Sequence, residues 1–292
     1  MSVKSRFSVG LYLLIALFFY TLLSRFLYAG IGGYPNKALY FLSIAIAFPI
    51  SFLSFLEIFN LSRLEDKGGK VLCFSLLSLT PILFLSIFPH INAISLSIYF
   101  SLSLIFLSIL VILSKFFFEY EEHSSILTQL NVWAFSFWNA VLFFPLIIPH
   151  KYLFFLFFLV ALNDMGAYYA GKKWGFLRIF NCSPNKTLEG FLFSIAFVTF
   201  ISLLAALIVR THTDSISLLN KNLSPFLIPV LAPLFLLLGD CGDLLFSRYK
   251  RIFQIKDYSS LLGNHGGFWD RFDSHSFALT GAFFLTFLFL WI

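Results

Sequence analysis

Residues 191–209 read FLFSIAFVTFISLLAALIV, a run of nineteen residues without a charged side chain. As an α-helix this run would be about 28 Å long, which matches the thickness of the hydrocarbon core of a bilayer. A run of this length and composition predicts a transmembrane helix. Similar apolar runs occur elsewhere in the chain.

The composition of the whole chain supports that reading. Of its 292 residues 59% are hydrophobic and 12% are charged, Phe occurs 42 times, and the mean hydropathy is +0.89. A soluble domain carries about 25% charged residues. A chain so poor in charge cannot bury its apolar side chains in one water-soluble core, so lipid must be the solvent for most of it. The three cysteines show no CxxC spacing, and no HExxH pattern is present, so neither a disulfide framework nor a structural zinc site is indicated.

Apolar runs of about 20 residues predict an all-α integral membrane protein, a polytopic bundle of about nine transmembrane helices. The first run is interpreted as a retained span, because no small-residue cleavage site follows it. The predicted spans lie near 8–29, 38–58, 71–88, 92–113, 128–148, 152–171, 191–209, 225–246 and 276–292.

The distribution of Lys and Arg predicts the orientation of these spans. With the N-terminus in the cytoplasm, fifteen basic residues fall in inside segments and four in outside segments. Such a bias is typical of cytoplasmic loops, so we expect the N-terminus inside and the C-terminus outside. Basic residues that face anionic lipid headgroups would give the same pattern, and both interpretations can hold. Two inside loops, 172–190 and 247–275, combine basic residues with Gly, Pro and acidic residues.

Carboxylates gather near one predicted membrane face. Five of the fourteen acidic residues lie between 240 and 273, and Asp164 lies at the inner end of the span 152–171. Carboxylates at membrane depth are unfavourable unless they line a polar cavity, so they usually mark function. Pairing with a nearby Lys or Arg is the structural alternative. The five are Asp240, Asp243, Asp257, Asp270 and Asp273.

The spacing of these acids and of nearby bases predicts a shared site. On a continuous helix, Asp243 would share one face with Ser247, Lys250 and Arg251. Asp270 and Asp273 would share a face in the same way. Carboxylate oxygens suit Mg²⁺, Lys and Arg suit phosphate oxygens, and the turn at 266–267 would admit a phosphate close to its backbone. These residue types favour phosphoryl or nucleotidyl transfer, although a solvated salt-bridge loop would have a similar composition.

Two blocks of sequence carry a family resemblance. One runs from Ser247 through Lys250-Arg251, Lys256-Asp257 and His265-Gly266-Gly267 to Asp270-Arg271-Phe272-Asp273. The other contains Asp164-Met165-Gly166-Ala167-Tyr168, Gly171, Gly175 and Ser183-Pro184-Asn185-Lys186-Thr187-Leu188-Glu189-Gly190. Both resemble the phosphatidate cytidylyltransferases, also called CDP-diglyceride synthetases, and together they cover most of 164–274. The family usually has Pro-Gly where this chain has Gly263-Asn264, which puts the shape of that loop in doubt.

The resemblance implies that CTP and phosphatidic acid give CDP-diacylglycerol and pyrophosphate, with Mg²⁺ required, as a step of phospholipid biosynthesis. It assigns catalytic roles to Asp243, Lys250, Arg251, Asp270, Arg271 and Asp273. Of these, Asp243 and Asp270, helped by Asp273, would be the metal ligands. Substrate binding is expected from Ser183, Lys186, Thr187, Ser247, Lys256, His265, Gly266 and Gly267. His265 would orient a phosphate or, alternatively, brace the glycine turn, and Lys186 would bind phosphate or anchor its span at the headgroups.

The same reasoning sets expectations for organisation and partners. Residues 1–150 would form N-terminal transmembrane helices, and residues 151–292 a catalytic transmembrane region with cytoplasmic loops. Expected partners are CTP, phosphatidic acid and membrane lipids, with no nucleic acid, and a homodimer is one candidate assembly. The lack of a long soluble segment before the first span favours a bacterial-type plasma (inner) membrane enzyme with its site on the cytoplasmic side. The alternatives are a relative with another lipid acceptor, such as a CDP-archaeol synthase or a polyprenol kinase, and a non-catalytic lipid transporter.

Overall fold

The computed structural model describes residues 50–61, 122–147, 150–178, 182–212, 216–218, 221–223, 226–263 and 266–291. Within them the chain forms six helices and one short hairpin. These elements are α1 Ile50–Leu61, α2 Glu122–Ile147, α3 His150–Trp174, α4 Leu188–His212, β1 Ile216–Leu218, β2 Lys221–Leu223, α5 Leu227–Ile252 and α6 Trp269–Trp291.

The helical membrane architecture predicted from the apolar runs is confirmed where the structure describes the chain. Three described helices are long and apolar enough to cross a bilayer: Tyr152–Trp174, Leu188–Ile208 and Leu227–Ile252. They coincide with the spans predicted near 152–171, 191–209 and 225–246. Helices also cover the runs predicted near 128–148 and 276–292 and the end of 38–58. The spans predicted at 8–29, 71–88 and 92–113 lie outside the described residues, as does the first part of 38–58.

One local element departs from the all-α prediction. Residues 216–218 pair antiparallel with 221–223, with Ser217 opposite Asn222. This hairpin follows α4, on the opposite end of the bundle from the site described below. Strands this short carry too little hydrophobic periodicity to be read from sequence.

The order of the helices brings two connections to the same end of the bundle. Helix α3 ends at Trp174 and α4 starts at Leu188, while α5 ends at Ile252 and α6 starts at Trp269. Helix α5 packs along α6 and against α4, and α3 packs along α4. The described residues of the connections 175–187 and 253–268 therefore lie at the same end of the bundle. These two connections are called the first and second loops below.

Large aromatic side chains fill the core beneath the second loop. Phe246 stacks on Trp269 with ring centroids 5.6 Å apart, and Phe268 stacks on Trp138 at 5.9 Å. Phe137 packs edge-on to both Phe268 and Trp269. Offset and edge-to-face pairs of this kind add to the burial of apolar area. The packing fixes the start of α6 against α2 and α5.

Two glycines bring α5 and α6 into close contact. A Cβ at Gly242 would lie 2.7 Å from the Asp273 carbonyl oxygen and 2.8 Å from the Phe277 ring. A Cβ at Gly239 would lie 3.3 Å from the Ser274 carbonyl oxygen. Small residues one helical turn apart let helix backbones approach in this way. The approach places the turn that carries Asp243 beside the first turns of α6.

We predict that Gly242→Ala destabilises the protein by about 1–3 kcal/mol, because the new methyl group must push α6 away. Thermal unfolding in detergent measures the effect. Cys241→Ala is the matched control, since Cys241 is exposed on the same helical turn. Equal melting temperatures for Gly242→Ala and the wild type would contradict the close contact.

Candidate functional site

Four carboxylates and one ammonium group form the centre of the site. Asp164 interacts electrostatically with Asp240, Asp243 and Asp273, which places acids from α3, α5 and α6 around one point. Lys186 forms an ion pair with Asp243, and the two side chains are 28% and 23% exposed. We call these five residues the acidic cluster. It holds an excess of negative charge that a cationic ligand would neutralise.

Neighbouring polar groups hold the acids in place. Ser247 donates a hydrogen bond of 3.2 Å to Asp243, one helical turn earlier on α5. Ser274 donates one of 3.3 Å to Asp164, and Asn163 donates one of 2.9 Å to the buried Asp240. Bonds of this kind are what a carboxylate needs when it leaves bulk water. Asp243 and Ser247 therefore lie on one face of α5, as their spacing predicted.

The first loop carries Lys186 into the cluster. Its turn is closed by a bond from the Lys186 amide to the Ser183 carbonyl, 3.0 Å long. The Thr187 hydroxyl then accepts the Gly190 amide at 3.3 Å and caps the start of α4. Glu189 accepts the amides of Phe176 and Leu177, which ties the two ends of the loop together.

Glycines let the first loop sit close to α3. A Cβ at Gly171 would lie 2.8 Å from the Thr187 hydroxyl oxygen, and a Cβ at Gly190 would lie 2.6 Å from the Ala167 carbonyl oxygen. The loop therefore packs against the end of α3 without intervening side chains. This close packing fixes the position from which the Lys186 side chain reaches the acidic cluster.

The charge of Lys186 is stabilised by its surroundings. Burial alone would lower the pKa of its ammonium group, but the adjacent Asp243, together with Asp164 and Asp240, raises that pKa above its ordinary value. Lys186 is therefore a permanent cation at neutral pH. It is suited to binding a phosphate but not to acting as a general base.

Asp270 organises the second loop. One of its oxygens accepts Lys250 Nζ at 2.8 Å, and the other accepts the amides of Tyr258 at 2.7 Å and Gly267 at 2.8 Å. Lys250 also lies 5.6 Å from the centroid of the Tyr258 ring. Burial raises the pKa of Tyr258, so its phenol stays protonated and donates to the Phe246 carbonyl at 3.0 Å. These contacts fold residues 253–268 back over the end of α5.

The Gly266–Gly267 turn contacts two carboxylates of the protein itself, those of Asp270 and Glu57. Gly266 has φ +81°, and a Cβ there would lie 2.8 Å from an Asp270 oxygen. A Cβ at Gly267 would lie 2.6 Å from Glu57 Oε1 and from Ser259 Oγ. The Gly267 amide already donates to Asp270. The sequence predicted that a phosphate would lie close to this turn, and in the structure Asp270 and Glu57 occupy that position. Binding of substrate by Gly266 and Gly267 stays a prediction.

The other predicted site residues lie around these two groups. Asp273 accepts the Ser274 amide at 2.8 Å, and Arg251 reaches the Cys182 carbonyl of the first loop at 3.5 Å. Lys256 is exposed on the second loop, and Arg271 is half-buried on the first turn of α6. His265 lies outside the described residues.

Sequence reasoning missed Glu57, which is 2% exposed on α1. Its carboxylate accepts Ser259 Oγ at 2.7 Å and the amides of Phe268 at 2.6 Å and Trp269 at 3.2 Å. A signal was present, since a lone acid in the predicted span 38–58 is a functional candidate by itself. The sequence could not show which segment it would contact.

The cluster fits a divalent cation that arrives with a phosphate substrate. No group of three or more His, Cys, Asp or Glu side chains in the described part of the chain is arranged to hold a metal by itself. Mg²⁺ is usually bound by one or two carboxylates together with substrate phosphates and water. Asp243 and Asp273 are two such carboxylates, since they interact electrostatically within the cluster. Both Asp270 oxygens are engaged, one by Lys250 of α5 and the other by two amides of the second loop, so the role of Asp270 as a metal ligand stays a prediction.

Comparison with known proteins gives a match over nearly the whole chain. The model of the cytidylyltransferase family matches residues 6–289. This range includes both loops and every residue of the acidic cluster.

Individual relatives match over a shorter region. A phosphatidate cytidylyltransferase of Staphylococcus epidermidis is 37% identical over 130 residues, which cover 44% of this chain and 46% of the relative. One of Bacillus subtilis is 36% identical over 140 residues, covering 47% and 48%. One of Staphylococcus aureus is 36% identical over 129 residues, covering 44% and 46%. The chain spans about half the length of the curated relatives it matches.

We predict that Asp270→Asn lowers stability by about 3 kcal/mol, because Lys250 loses its charged partner in a largely buried site. Thermal unfolding in detergent measures the loss. Asp257→Asn removes an exposed acid of the same loop and should leave the melting temperature within a degree or two of the wild type. Equal stability of the two variants would show that Asp270 does not organise the loop.

Proposed function

Because the chain belongs to the cytidylyltransferase family, we propose that it transfers a cytidylyl group from CTP to phosphatidate, giving CDP-diacylglycerol and pyrophosphate. The named relatives are phosphatidate cytidylyltransferases. The observation that carries the proposal is the ion pair between Lys186 and Asp243. It joins the block that contains Lys186 to α5, one helical turn before the block that begins at Ser247.

The reaction needs charge neutralisation more than proton transfer. An oxygen of the phosphatidate phosphate attacks the α-phosphorus of CTP, a new P–O bond forms, and the bond between the α- and β-phosphates breaks to release pyrophosphate. A phosphate monoester has its second pKa near 6, so the attacking group is already largely deprotonated at neutral pH. The barrier comes mainly from bringing two polyanions together.

The cations around the two loops would overcome this repulsion. Lys186 lies inside the acidic cluster and keeps its charge. Its ammonium group can therefore exchange the ion pair with Asp243 for an ion pair with a phosphate oxygen. Lys250 and Arg251 follow on the last turn of α5, beside the cluster. Lys256, Arg271 and His265 complete the proposed set for the triphosphate and the lipid phosphate. Ser183, Thr187 and Ser247 would supply neutral hydrogen bonds.

The cluster would also hold the metal that the resemblance implies. Asp243 and Asp273 are the residues we propose as ligands of Mg²⁺, with Asp270 as a third candidate. When bound, the ion would reduce the charge of the triphosphate and favour departure of pyrophosphate.

The three apolar helices show a membrane protein, and we extend this to location and partners. We propose the bacterial plasma membrane, with the N-terminus and both loops facing the cytoplasm where CTP is available. The catalytic region would be residues 151–292. Its partners would be CTP, phosphatidate and surrounding lipids, without nucleic acid, and a homodimer remains one candidate assembly.

We predict CTP- and phosphatidate-dependent release of pyrophosphate by the purified protein, with Asp243→Asn lowering the rate by about 10²–10³-fold through loss of a charge beside the reacting phosphates. Cys241→Ser is the matched control, because it alters an exposed side chain on the same turn. Wild-type rates in folded Asp243→Asn would remove Asp243 from the mechanism.

The acceptor is tested in the same assay. Phosphatidate is replaced by a polyprenol or by an archaeal ether-linked phosphatidate analogue. Turnover with one of these and not with phosphatidate would overturn the proposed acceptor. Absence of any CTP-dependent reaction would favour a non-catalytic lipid protein.

We predict that a membrane-impermeant thiol reagent reaches both loops only from the cytoplasmic side. In a cysteine-free background, Lys173→Cys and Ser260→Cys provide exposed positions at the two loops. Intact spheroplasts should give no labelling, and inside-out vesicles should give full labelling. Labelling of either position in intact spheroplasts would reverse the orientation.

A further inference from the structure

Helix α1 contacts the start of α6 through one buried acid. Glu57 Oε1 accepts the Phe268 amide and the Ser259 hydroxyl, and Oε2 accepts the Trp269 amide. Glu57 is more than two hundred positions away in sequence from each of these three residues. The structure gives this carboxylate three neutral donors, all from the second loop and the start of α6.

The position of Glu57 is that of a helix cap supplied by another segment. The first amides of a helix have no acceptor within the helix, and the positive end of its dipole favours a carboxylate. Phe268 and Trp269 are the residues at which α6 begins. Glu57 therefore supplies, from a segment distant in sequence, the acceptors for the two amides at which α6 begins.

Glu57 and Asp270 divide the amides of the turn between them. Asp270 accepts the amides of Tyr258 and Gly267, and Glu57 accepts the next two along the chain. A side chain at Gly267 would collide with both Glu57 oxygens, at 2.6 and 2.7 Å. The turn is thus held from two sides, and its shape depends on a residue outside the two sequence blocks at 164–190 and 247–273.

We propose that Glu57 is a positioning residue for the cytidylyl transfer, and this inference rests on the proposed function. Glu57 fixes the Gly266–Gly267 turn and the first turn of α6, and in this way it orients the side chains of Asp270, Arg271 and Asp273. Misplacement of reacting or binding groups by about 1 Å can lower a rate about a hundredfold. Glu57 acts through these residues, since its hydrogen-bond donors belong to the second loop and the start of α6.

The test compares Glu57→Gln with Ser54→Ala. Glutamine has the same shape, but its amide nitrogen is a donor and leaves at least one loop donor without an acceptor. Ser54→Ala is the matched control on α1: it removes the hydroxyl that accepts Trp138 Nε1 at 2.9 Å, while the Ser54 carbonyl still accepts Trp269 Nε1 at 2.8 Å. Both variants disturb the packing of α1, but only one releases the turn.

Two measurements separate positioning from simple stability. In hydrogen–deuterium exchange, the peptide covering 266–272 should exchange about tenfold faster in Glu57→Gln and at the wild-type rate in Ser54→Ala. In the pyrophosphate assay, kcat/KM for CTP should fall about 10- to 100-fold in Glu57→Gln. Ser54→Ala should lower the melting temperature and leave kcat/KM unchanged. Wild-type exchange or wild-type kcat/KM in Glu57→Gln would overturn the proposal, as would an equal loss of kcat/KM in Ser54→Ala.

Two further arms keep the test decisive. If Glu57→Gln does not fold, Ser259→Ala removes one of the three donors, and it should still give faster exchange of the turn and a loss of kcat/KM of about two- to fivefold. An unchanged turn in Ser259→Ala would then contradict the proposal. If the wild type shows no CTP-dependent turnover, the proposed function fails by itself, and the exchange experiment alone decides whether Glu57 holds the turn.

Discussion

The contact between the Gly242 backbone and the Asp273 carbonyl oxygen is the constraint on which the site depends. It lets α5 and α6 approach until their acids share one electrostatic environment. A larger side chain at Gly242 would separate Asp243 from Asp273 and widen the space that Lys186 enters. The acidic cluster is thus a consequence of helix packing, and its chemistry follows from that packing.

Charge compensation explains how so many acids can gather within the bundle. Lys186 comes from the first loop and Lys250 from the end of α5, and each pairs with an acid on a different segment. Asp240 accepts a hydrogen bond from Asn163, and Glu57 accepts hydrogen bonds from donors of the second loop. Neither acid forms a direct ion pair in the described contacts. Removing one partner from such a pair leaves an uncompensated charge, which is costly where the pair is shielded from water. In the proposed reaction, substrate phosphates would replace the carboxylates as partners of the two lysines.

The two loops differ in what holds them. The first loop is fixed by close packing of glycines against α3 and by the Thr187 cap, so its geometry is local. The second loop is fixed by two carboxylates, one of which comes from α1. The start of α6 is therefore joined to α1, from which it is separated by about two hundred residues of sequence. The acids and bases at the start of α6 thus depend on a carboxylate outside the two sequence blocks that carry them.

The sequence by itself determined the membrane class, the positions of the described spans and the placement of Asp243 and Ser247 on one helix face. These depend on hydrophobic run length and on spacing within one or two helical turns, which a linear pattern records. Only the tertiary structure decided that Lys186 joins Asp243, that the two Asp270 oxygens bind Lys250 and the second-loop amides, and that Glu57 caps α6. Each of these depends on the approach of segments distant in sequence, and that approach is set by glycine contacts and aromatic packing whose partners no spacing rule identifies.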